Sequence, residues 1–391
     1  MTDTIFKSNI GGSNWIYSDK IYYKLTGKKI QSNYFPIIPI SVRYFPELVP
    51  NKKLFCLLWS TPTFKDTDCQ YLLHVYDEND VDYIISTSSG NTVEAMARTI
   101  KKYNNESKKE IKAILLVPDI SSFKVSKSAI ENNPYVKYIV LRNSTLDSVR
   151  EFYTKLKKKL SESYKVVSAD SNLKTAAYGQ IGFVLDDMNL LNNDTCFVQT
   201  VSGGPGPVGF LEYASQVNLN PELLVVQPIS NVSTPIVDAL DEHAIGNNPL
   251  GVFEKKTYET SNIETTLGST KPIYAIEKFI NWRNNGGTII TSQVSNDDIL
   301  NQKENLLKEL VNANIYPTLN LGLKFFELEK SGLIALIGAI NSAKNIKSKN
   351  IIVNFTGRFP ENISIIPRSA TPHRIYDPAQ GIRKFIEILN L

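Results

Sequence analysis

A lysine in a short polar turn and a loop of small residues downstream of it could together carry chemistry. Lys65 stands between Phe64 and Asp66 in a turn headed by proline, and about one helix and one strand later comes the run Ser88–Thr92, SSGNT. A primary amine facing small hydrogen-bonding groups is what a cofactor that forms an imine requires. Plainer interpretations exist for both, because a lone lysine is usually a surface residue and Ser, Asn and Thr are common helix N-caps.

Two further junctions, both in the second half of the chain, place small or hydroxyl residues directly after a buried strand. The run CFVQTV leads into Ser202–Gly209, SGGPGPVG, and NIIVNF leads into Thr356 and Gly357. Glycines let backbone N–H groups approach an anion, and a following helix presents its positive end, so the first loop has the composition of a phosphate cradle. Alone, this loop is a weak indication of phosphate binding, since it matches neither GxGxxG nor a P-loop. Thr356 and Gly357 could simply end a strand.

The elements that must position these residues alternate between β-branched runs and amphipathic windows, the pattern of a parallel sheet with crossover helices. Ligand sites in such sheets lie at the carboxyl ends of strands, so the three junctions are expected to converge. We predict an α/β fold of two three-layer α/β/α domains with parallel-rich sheets. The predicted strands are 54–60, 82–86, 113–117, 137–141, 196–201, 223–228, 288–291 and 350–357. The predicted helices are one that follows the Lys65 turn and runs through Leu72 and Tyr76, one from Asn91 through Ile100, one after Gly209 through Leu211 and Ala214, and those at 146–161, 175–188, 273–282, 297–312 and 319–344.

Three segments carry no regular periodicity. Residues 1–50 combine prolines with Tyr17, Tyr22, Tyr34 and Tyr44 and predict an irregular arm anchored by aromatic side chains. Residues 170–174 read as a loop. Residues 243–272, rich in Asn, Thr and Gly, predict a long connection of the kind usually retained for function or for contact between domains.

The composition bounds the class of protein. At 391 residues, with 42% hydrophobic and 10% aromatic residues, the chain predicts an ordinary folded protein of two domains or one large α/β unit. A net charge of +4 from 43 basic and 39 acidic residues is mild. The lysine-rich runs are interleaved with glutamate, as on a solvated helix face, so no nucleic-acid partner is expected.

The cysteines and histidines do not form a metal motif. Three of each are scattered without ligand spacing, so no metal site is expected, and so few thiols favour a reducing compartment. The N-terminus lacks a basic-then-apolar signal pattern, and the longest span-like run, 333–340, is too short for a bilayer. We therefore expect a soluble, cytoplasmic protein with no membrane partner.

Taken in order, these motifs resemble the fold type II family of pyridoxal 5'-phosphate (PLP) enzymes, and within it threonine synthase most closely. The resemblance covers about 42–360. The segment 43–50, RYFPELVP, is similar to the family's Arg-Tyr-x-x-Leu-Leu-Pro arm, and 63–67, TFKDT, to its Ser-Phe-Lys-Asp-Arg segment; SSGNT at 88–92 is unchanged. Further similar segments are 171–178, 203–206, 224–228, 264–272 and 356–357.

The resemblance implies a role for each residue singled out above. It places PLP in the cleft between a smaller domain, 50–165, and a larger one built from 1–49 and 166–391, and it implies a homodimer. Lys65 is implied as the Schiff-base lysine and proton shuttle, and Asn91 as the partner of the PLP phenolate oxygen. The remaining implied contacts are Gly203, Gly204, Pro205 and Gly206 with the phosphate, Thr356 with the pyridine nitrogen, and Ser88, Ser89 and Thr92 with the substrate carboxylate.

The sequence also departs from the threonine synthase pattern. The segment before the lysine is shortened to NKKLFCLLWSTP, and Thr67 stands where the family has an arginine. Residues 316–320 and 357–360 differ as well. These changes affect substrate recognition more than cofactor retention.

The implied function is that of a PLP-dependent lyase that converts O-phosphohomoserine to threonine and phosphate. One alternative is β-replacement on O-phosphoserine or a related amino-acid substrate, as in cysteate synthase. A second alternative is a catalytically silent homologue that serves as a binding module, although such a module would not need Lys65, Asn91 and the glycine loop together.

Overall fold

The computed structural model describes residues 5–10, 15–30, 38–45, 48–59, 63–76, 81–88, 90–107, 110–229, 234–259, 263, 267, 269–312, 330–356 and 370–390. The chain divides into two compact units. The large unit comprises Met1–Lys29, Ile37–Phe64 and Ser171–Ser364, and the small unit comprises Ile30–Pro36, Lys65–Asp170 and Ile365–Leu391.

Strands and helices alternate along most of the described chain. The strands are β1 Ile5–Ile10, β2 Ile38–Phe45, β3 Lys53–Trp59, β4 Tyr83–Thr87, β5 Lys112–Pro118, β6 Val136–Leu141, β7 Val166–Val167, β8 Thr195–Thr200, β9 Glu222–Pro228, β10 Ile289–Val294, β11 Asn350–Phe355 and β12 Arg374–Tyr376. The helices are α1 Ile16–Thr26, α2 Lys65–Tyr76, α3 Asn91–Ser107, α4 Lys127–Ile130, α5 Leu146–Leu160, α6 Ser171–Asp187, α7 Pro205–Gln216, α8 Pro235–Ala244, α9 Val252–Lys255, α10 Ile273–Asn284, α11 Asn296–Asn312, α12 Lys330–Asn341 and α13 Ile382–Leu389.

The large unit is built on a sheet whose described strands run in the order β1-β2-β3-β11-β8-β9-β10. From β3 to β10 all neighbours are parallel, whereas β2 and β1 are added antiparallel at one edge. Every residue of β8 and β9 is buried, because helices cover both faces of a parallel sheet. Apolar side chains of β11, β8 and β9 pack with those of α12 on one face.

The small unit has its own sheet, with described strands in the order β12-β6-β5-β4-β7, all parallel. Helix α5 begins with a capping box between Thr145 and Ser148 and buries Val149, Phe152 and Leu156 against this sheet. The prediction of an α/β fold with two parallel-rich sheets is confirmed. Within the described residues, no helix is both long and apolar enough to cross a bilayer.

The N-terminal arm is more regular than predicted. Its described residues form β1, α1 and β2 instead of an irregular segment. Of the aromatic residues that suggested an arm, Tyr17 and Tyr22 lie in α1, Tyr44 lies in β2 and is 39% exposed, and Tyr34 lies outside the described residues. Trp15 and Tyr22 are buried, and the ring of Tyr17 packs edge-on against Tyr213 with centroids 4.9 Å apart. Helix α1 ends where Gly27 adopts a left-handed conformation, φ 71°, which a residue without a side chain enters at little cost. The aromatic residues and prolines of this segment therefore led to the prediction of an irregular arm where the chain forms a short helix.

The division into units differs from the predicted boundaries at four places. Residues 30–36 and 166–170, predicted in the larger domain, belong to the small unit, and β7 within the second range pairs with β4. Strand β3 belongs to the large unit because it pairs in parallel with β11, although it was predicted to open the smaller domain. The C-terminal segment, predicted to lie in the larger domain, belongs to the small unit because β12 pairs with β6 and Phe385 of α13 packs on Phe152, with ring centroids 5.1 Å apart.

The start of helix α6 also differs from prediction. Helix α6 begins at Ser171, so the residues predicted as the loop 170–174 form its first turn. Ser and Asn favour turns, but they also favour the first turn of a helix, and the sequence does not separate the two. Helix α8 was not predicted, and of the helix predicted at 319–344 the residues 319–329 lie outside the described part.

Helices α6 and α7 approach each other at the level of their backbones. A methyl group built on Gly209 would lie 2.4 Å from the carbonyl oxygen of Thr175 and 2.8 Å from the carbonyl carbon of Tyr178. Gly182 of α6 similarly faces the ring of Tyr213. Glycine at these positions therefore fixes the separation of the two helices, and α7 begins at the glycine loop.

We expect Gly209→Ala to destabilise the protein by about 1–3 kcal/mol, because a helix backbone cannot move aside for the added methyl group. Urea denaturation monitored by circular dichroism measures this. Gly251→Ala is the matched control, since its nearest atoms lie at 3.8–3.9 Å and its φ is −61°. Equal denaturation midpoints for the two variants would contradict the close approach of α6 and α7.

Candidate active site

The turn before Lys65 is anchored within the large unit. The backbone N–H of Phe64 donates to the carbonyl oxygen of Thr356 at 3.2 Å, and the Phe64 ring stacks on Tyr178 with centroids 4.8 Å apart. Phe64 is only 7% exposed. Lys65, the next residue, is the first residue of α2 and is half-buried. Lys65 therefore directly follows a residue, Phe64, whose position is fixed by backbone and ring contacts.

The loop before α3 is shaped by Ser88. Its hydroxyl oxygen accepts the N–H groups of Gly90 at 3.0 Å and Val93 at 3.3 Å. Gly90 has φ 129°, which residues with side chains rarely adopt. Ser88 therefore caps α3, as the plainer interpretation of this loop requires, and only its hydroxyl proton is left to offer a ligand. Ser89 lies outside the described residues.

Asn91 and Thr92 form the start of α3. Asn91 is half-buried, Thr92 is 5% exposed, and the carbonyl oxygen of Thr92 accepts the thiol of Cys69 on α2 at 3.7 Å. The starts of α2 and α3 therefore lie side by side in the small unit. That the lysine turn and the SSGNT loop serve one site stays a prediction.

The glycine loop leads from β8 into α7. Gly204 has φ 79°, and a methyl group there would lie 2.4 Å from Cβ of Ala275. A methyl group on Gly206 would lie 2.7 Å from Nε2 of Gln199. Pro205 occupies the first position of α7, where its fixed φ suits a helix start and its missing N–H would have no intrahelical partner. The loop can take this shape only with glycine at Gly204 and Gly206.

The same loop presents backbone donors. The N–H groups of Gly203, Gly204 and Gly206 make no hydrogen bond to any residue within the described part of the chain. They surround the N-terminus of a helix of 12 residues, where the aligned peptide dipoles give a positive potential. Unpaired N–H groups at such an end are suited to the oxygens of a phosphate group.

Thr356 follows β11, the strand next to β8. Its hydroxyl lies 2.9 Å from that of Ser331, and the carbonyl oxygen of Ser331 accepts the hydroxyl of Thr200 at 2.6 Å. Thr356 and Ser331 are 7% and 3% exposed. The neighbouring ends of β8 and β11 thus bring the glycine loop and the Thr356 hydroxyl to one edge of the sheet, as predicted for two of the three junctions. Gly357 lies outside the described residues.

A buried polar network, which the sequence analysis missed, supports this edge. Nε1 of Trp59 donates to Oδ1 of Asn354 at 2.8 Å, and Nδ2 of Asn354 donates to Oε1 of Gln199 at 3.0 Å. The network links β3, β11 and β8 directly below the glycine loop, because Gln199 also lies against Gly206. The signal was visible in the sequence as an amide residue inside each of two largely apolar runs, Asn354 in NIIVNF and Gln199 in TCFVQT.

The thiols are not suited to nucleophilic chemistry or to binding a metal. Cys56, Cys69 and Cys196 are buried, and burial raises the pKa of the Cys56 and Cys196 thiols well above the ordinary value. These two therefore stay protonated at neutral pH. Among the residues that the structure describes, no three His, Cys, Asp or Glu side chains are grouped to hold a metal ion.

Comparison with solved structures gives consistent matches, although no protein-family model and no curated protein matches the sequence. A PLP-dependent aspartate racemase is 19% identical with a TM-score of 0.55 over 87% of this chain and 94% of its own. Maize serine racemase is 16% identical with a TM-score of 0.57 over 88% and 94%. The processed form of threonine deaminase isoform 2 from Solanum lycopersicum is 17% identical with a TM-score of 0.54 over 80% and 82%.

The first of these structures is a PLP-dependent enzyme, and this chain shares the fold of all three over most of its length. At identities below 20% the likeness concerns the fold. What the site does is argued from its own residues.

Proposed function

We propose that this protein is a PLP-dependent enzyme that acts on an amino acid and binds the cofactor covalently through Lys65. The observation that carries the proposal is the set of N–H groups of Gly203, Gly204 and Gly206 at the start of α7, which find no partner among the residues that the structure describes. Such a loop fits the phosphate of PLP, and Lys65 supplies the amine that PLP enzymes require. The three solved structures of the same fold support this choice of cofactor.

The other residues fit the remaining groups of the cofactor. The Thr356 hydroxyl would bind the pyridine nitrogen, and because a hydroxyl is neutral it would leave that nitrogen unprotonated. The Asn91 amide would donate to the phenolate oxygen. When bound, PLP withdraws electrons from the α-carbon of an amino acid, which makes its α-proton acidic.

The protein's own residues then have three tasks. The Lys65 amine, once released from the cofactor, would take up the α-proton and return it at another carbon atom. The start of α3, with Ser88, Ser89 and Thr92, would hold the substrate carboxylate, because a helix N-terminus favours an anion. Ser88 can contribute only its hydroxyl proton, since its oxygen already accepts two N–H groups.

For the substrate we propose an amino acid with a phosphate leaving group, with O-phosphohomoserine as the first candidate. With water it would yield threonine and phosphate. The support is the resemblance to threonine synthase at TFKDT and SSGNT. The second candidate is β-replacement on O-phosphoserine or a related serine derivative. It is favoured by the shortened segment before Lys65, where the wall beside the lysine must differ, and by the serine racemase of the same fold.

Incubation of the PLP-loaded protein with each substrate separates the candidates. We expect phosphate and threonine from O-phosphohomoserine. Phosphate from O-phosphoserine alone, in the presence of a thiol or sulfite, would establish the second candidate and exclude the first. L-serine and L-threonine serve as comparison substrates without phosphate. Turnover of none of the four by protein that binds PLP would contradict both candidates and favour a silent binding homologue.

A further inference from the structure

A buried ion-pair network joins the first turns of α2 and α3. Nη2 of Arg98, in α3, donates to both carboxylate oxygens of Asp66 at 2.9 and 3.1 Å, and Nη1 donates to Oε1 of Glu94 at 2.5 Å. Oε2 of Glu94 accepts the backbone N–H of Ser126 at 2.9 Å. One guanidinium group therefore holds two carboxylates that belong to different helices.

The network is enclosed by protein. Side-chain exposure is 25% for Arg98, 6% for Asp66 and 0% for Glu94. Burial lowers the pKa of the Arg98 guanidinium, but the charges and hydrogen bonds of Asp66 and Glu94 outweigh it and leave the pKa above its ordinary value. Arg98 thus stays charged. Buried carboxylates are stable only with such partners, so removing the guanidinium would leave two charges without their cation.

The network lies next to two residues predicted for the site, Lys65 and Asn91. Asp66 directly follows Lys65, the first residue of α2, and Glu94 lies one turn after Asn91, the first residue of α3. The planar guanidinium fork fixes both distance and orientation, which a lysine ammonium cannot do. Another contact between the two helices, from the Cys69 thiol to the carbonyl oxygen of Thr92, is long and weak.

We propose that Arg98 is a positioning residue, which holds the Lys65 turn against the start of α3 so that the lysine amine meets the cofactor and the substrate side of the SSGNT loop. The proposal rests on the proposed function for its chemical consequence. The restraint on the Lys65 turn, however, exists with or without a cofactor and can be measured separately.

The network also sets the charge near Lys65. The charged side chains of the two first turns and of the network are Lys65, Asp66, Asp68, Glu94 and Arg98. Without Arg98 the carboxylates are unbalanced. Negative charge stabilises a protonated nitrogen, so a group on Lys65 would hold its proton to higher pH. A loss of restraint alone would not raise the pH at which the group on Lys65 loses its proton.

Two substitutions separate restraint from charge. Arg98→Met removes both the fork and the charge, whereas Arg98→Lys keeps the charge and loses the fork. Arg150→Met is the matched control, since Arg150 pairs with Asp147 on the surface of α5, where their side chains are 44% and 48% exposed. Circular dichroism and thermal denaturation establish that each variant is folded.

Hydrogen exchange of the PLP-free protein tests the restraint. We expect the peptide covering 65–76 to exchange at least tenfold faster in Arg98→Met and Arg98→Lys, and at the original rate in Arg150→Met. If Arg98→Met does not fold, the exchange rate of 65–76 in Arg98→Lys still tests whether the guanidinium fork restrains this segment. Unchanged exchange of 65–76 in Arg98→Lys would overturn the proposal. Hydrogen exchange needs no cofactor. It therefore measures the restraint on residues 65–76 even if the protein does not bind PLP.

Titration of the PLP-loaded protein tests the consequence for Lys65. We expect both Arg98 variants to attach PLP at least tenfold more slowly, and the pH midpoint of the visible band to rise in Arg98→Met but not in Arg98→Lys. Attachment rates equal to those of the original protein would overturn a positioning role. A protein that shows no visible band in any form would contradict the proposed function instead, while the exchange result would stand.

Discussion

Lys65→Ala is expected to abolish both the covalent attachment of PLP and the turnover of the substrate. In the proposed function the Lys65 amine both forms the bond to the cofactor and moves the substrate proton. The loss of a positioned general base alone lowers rates by about 10²–10⁴-fold. We therefore expect at least a ~10³-fold decrease in the rate of phosphate release, measured at saturating PLP.

The fold should survive this substitution. Lys65 is a helix-start residue and is only half-buried, and alanine is favourable in helices. Lys155→Ala, on the exposed side of α5, provides the matched control and should retain full activity. A Lys65→Ala protein that releases phosphate at the rate of the original protein would remove Lys65 from the mechanism.

Gly204→Ala is expected to weaken PLP binding at least tenfold and to lower stability by about 1–3 kcal/mol. Two effects combine. The backbone has φ 79°, which alanine adopts with strain, and the added methyl group would lie 2.4 Å from Cβ of Ala275. The loop must therefore move, and its N–H groups lose the arrangement that fits a phosphate. Fluorescence titration of the PLP-free protein with PLP measures the affinity.

Two further variants show whether the methyl group's contact with Ala275 causes the weaker PLP binding of Gly204→Ala. In Gly204→Ala combined with Ala275→Gly the nearest remaining atoms lie at 3.7 and 3.8 Å, so part of the affinity should return. In Gly203→Ala the added methyl group meets, among the described residues, only Pro205 Cδ at 3.8 Å, so stability should be retained while the methyl group narrows the loop. Normal PLP affinity in Gly204→Ala would show that the loop does not bind the cofactor phosphate.

The parts of the fold that the sequence predicted are those where local pattern and tertiary packing agree. LLVVQP is apolar at every position except its glutamine, as a strand covered on both faces must be, and it is the buried strand β9. The helix from Asn91 shows the periodicity of a buried face and is α3. The fold class followed from such elements.

The N-terminal and C-terminal elements were not predicted because their structure depends on distant partners. Helix α1 packs on α6 through Ile21, whose Cδ1 would lie 2.4 Å from a methyl group on Gly179. Strand β12 has only 3 residues and is held by pairing with β6. Neither has a local pattern strong enough to identify it. Such elements become visible only when the partner surface is known.

The candidate site divides in the same way. Lys65, Asn91, the glycine loop and Thr356 were found because each stands at a strand or turn end with a recognisable composition. The groups that hold them were not found. Arg98, Asn354 and Ser331 lie inside helices or strands, and their importance comes from contacts with residues distant in the sequence. The sequence also left open whether Ser88 caps a helix, which its bonds to Gly90 and Val93 now answer.

The covalent bond between Lys65 and the cofactor is the central claim, and reductive labelling tests it most directly. The purified protein is mixed with PLP, reduced with borohydride, digested and analysed by mass spectrometry. We expect a visible band that borohydride bleaches and a phosphopyridoxyl group on Lys65 in the peptide containing TFKDT. Labelling of another lysine, or of none under conditions in which PLP is in excess, would contradict the account.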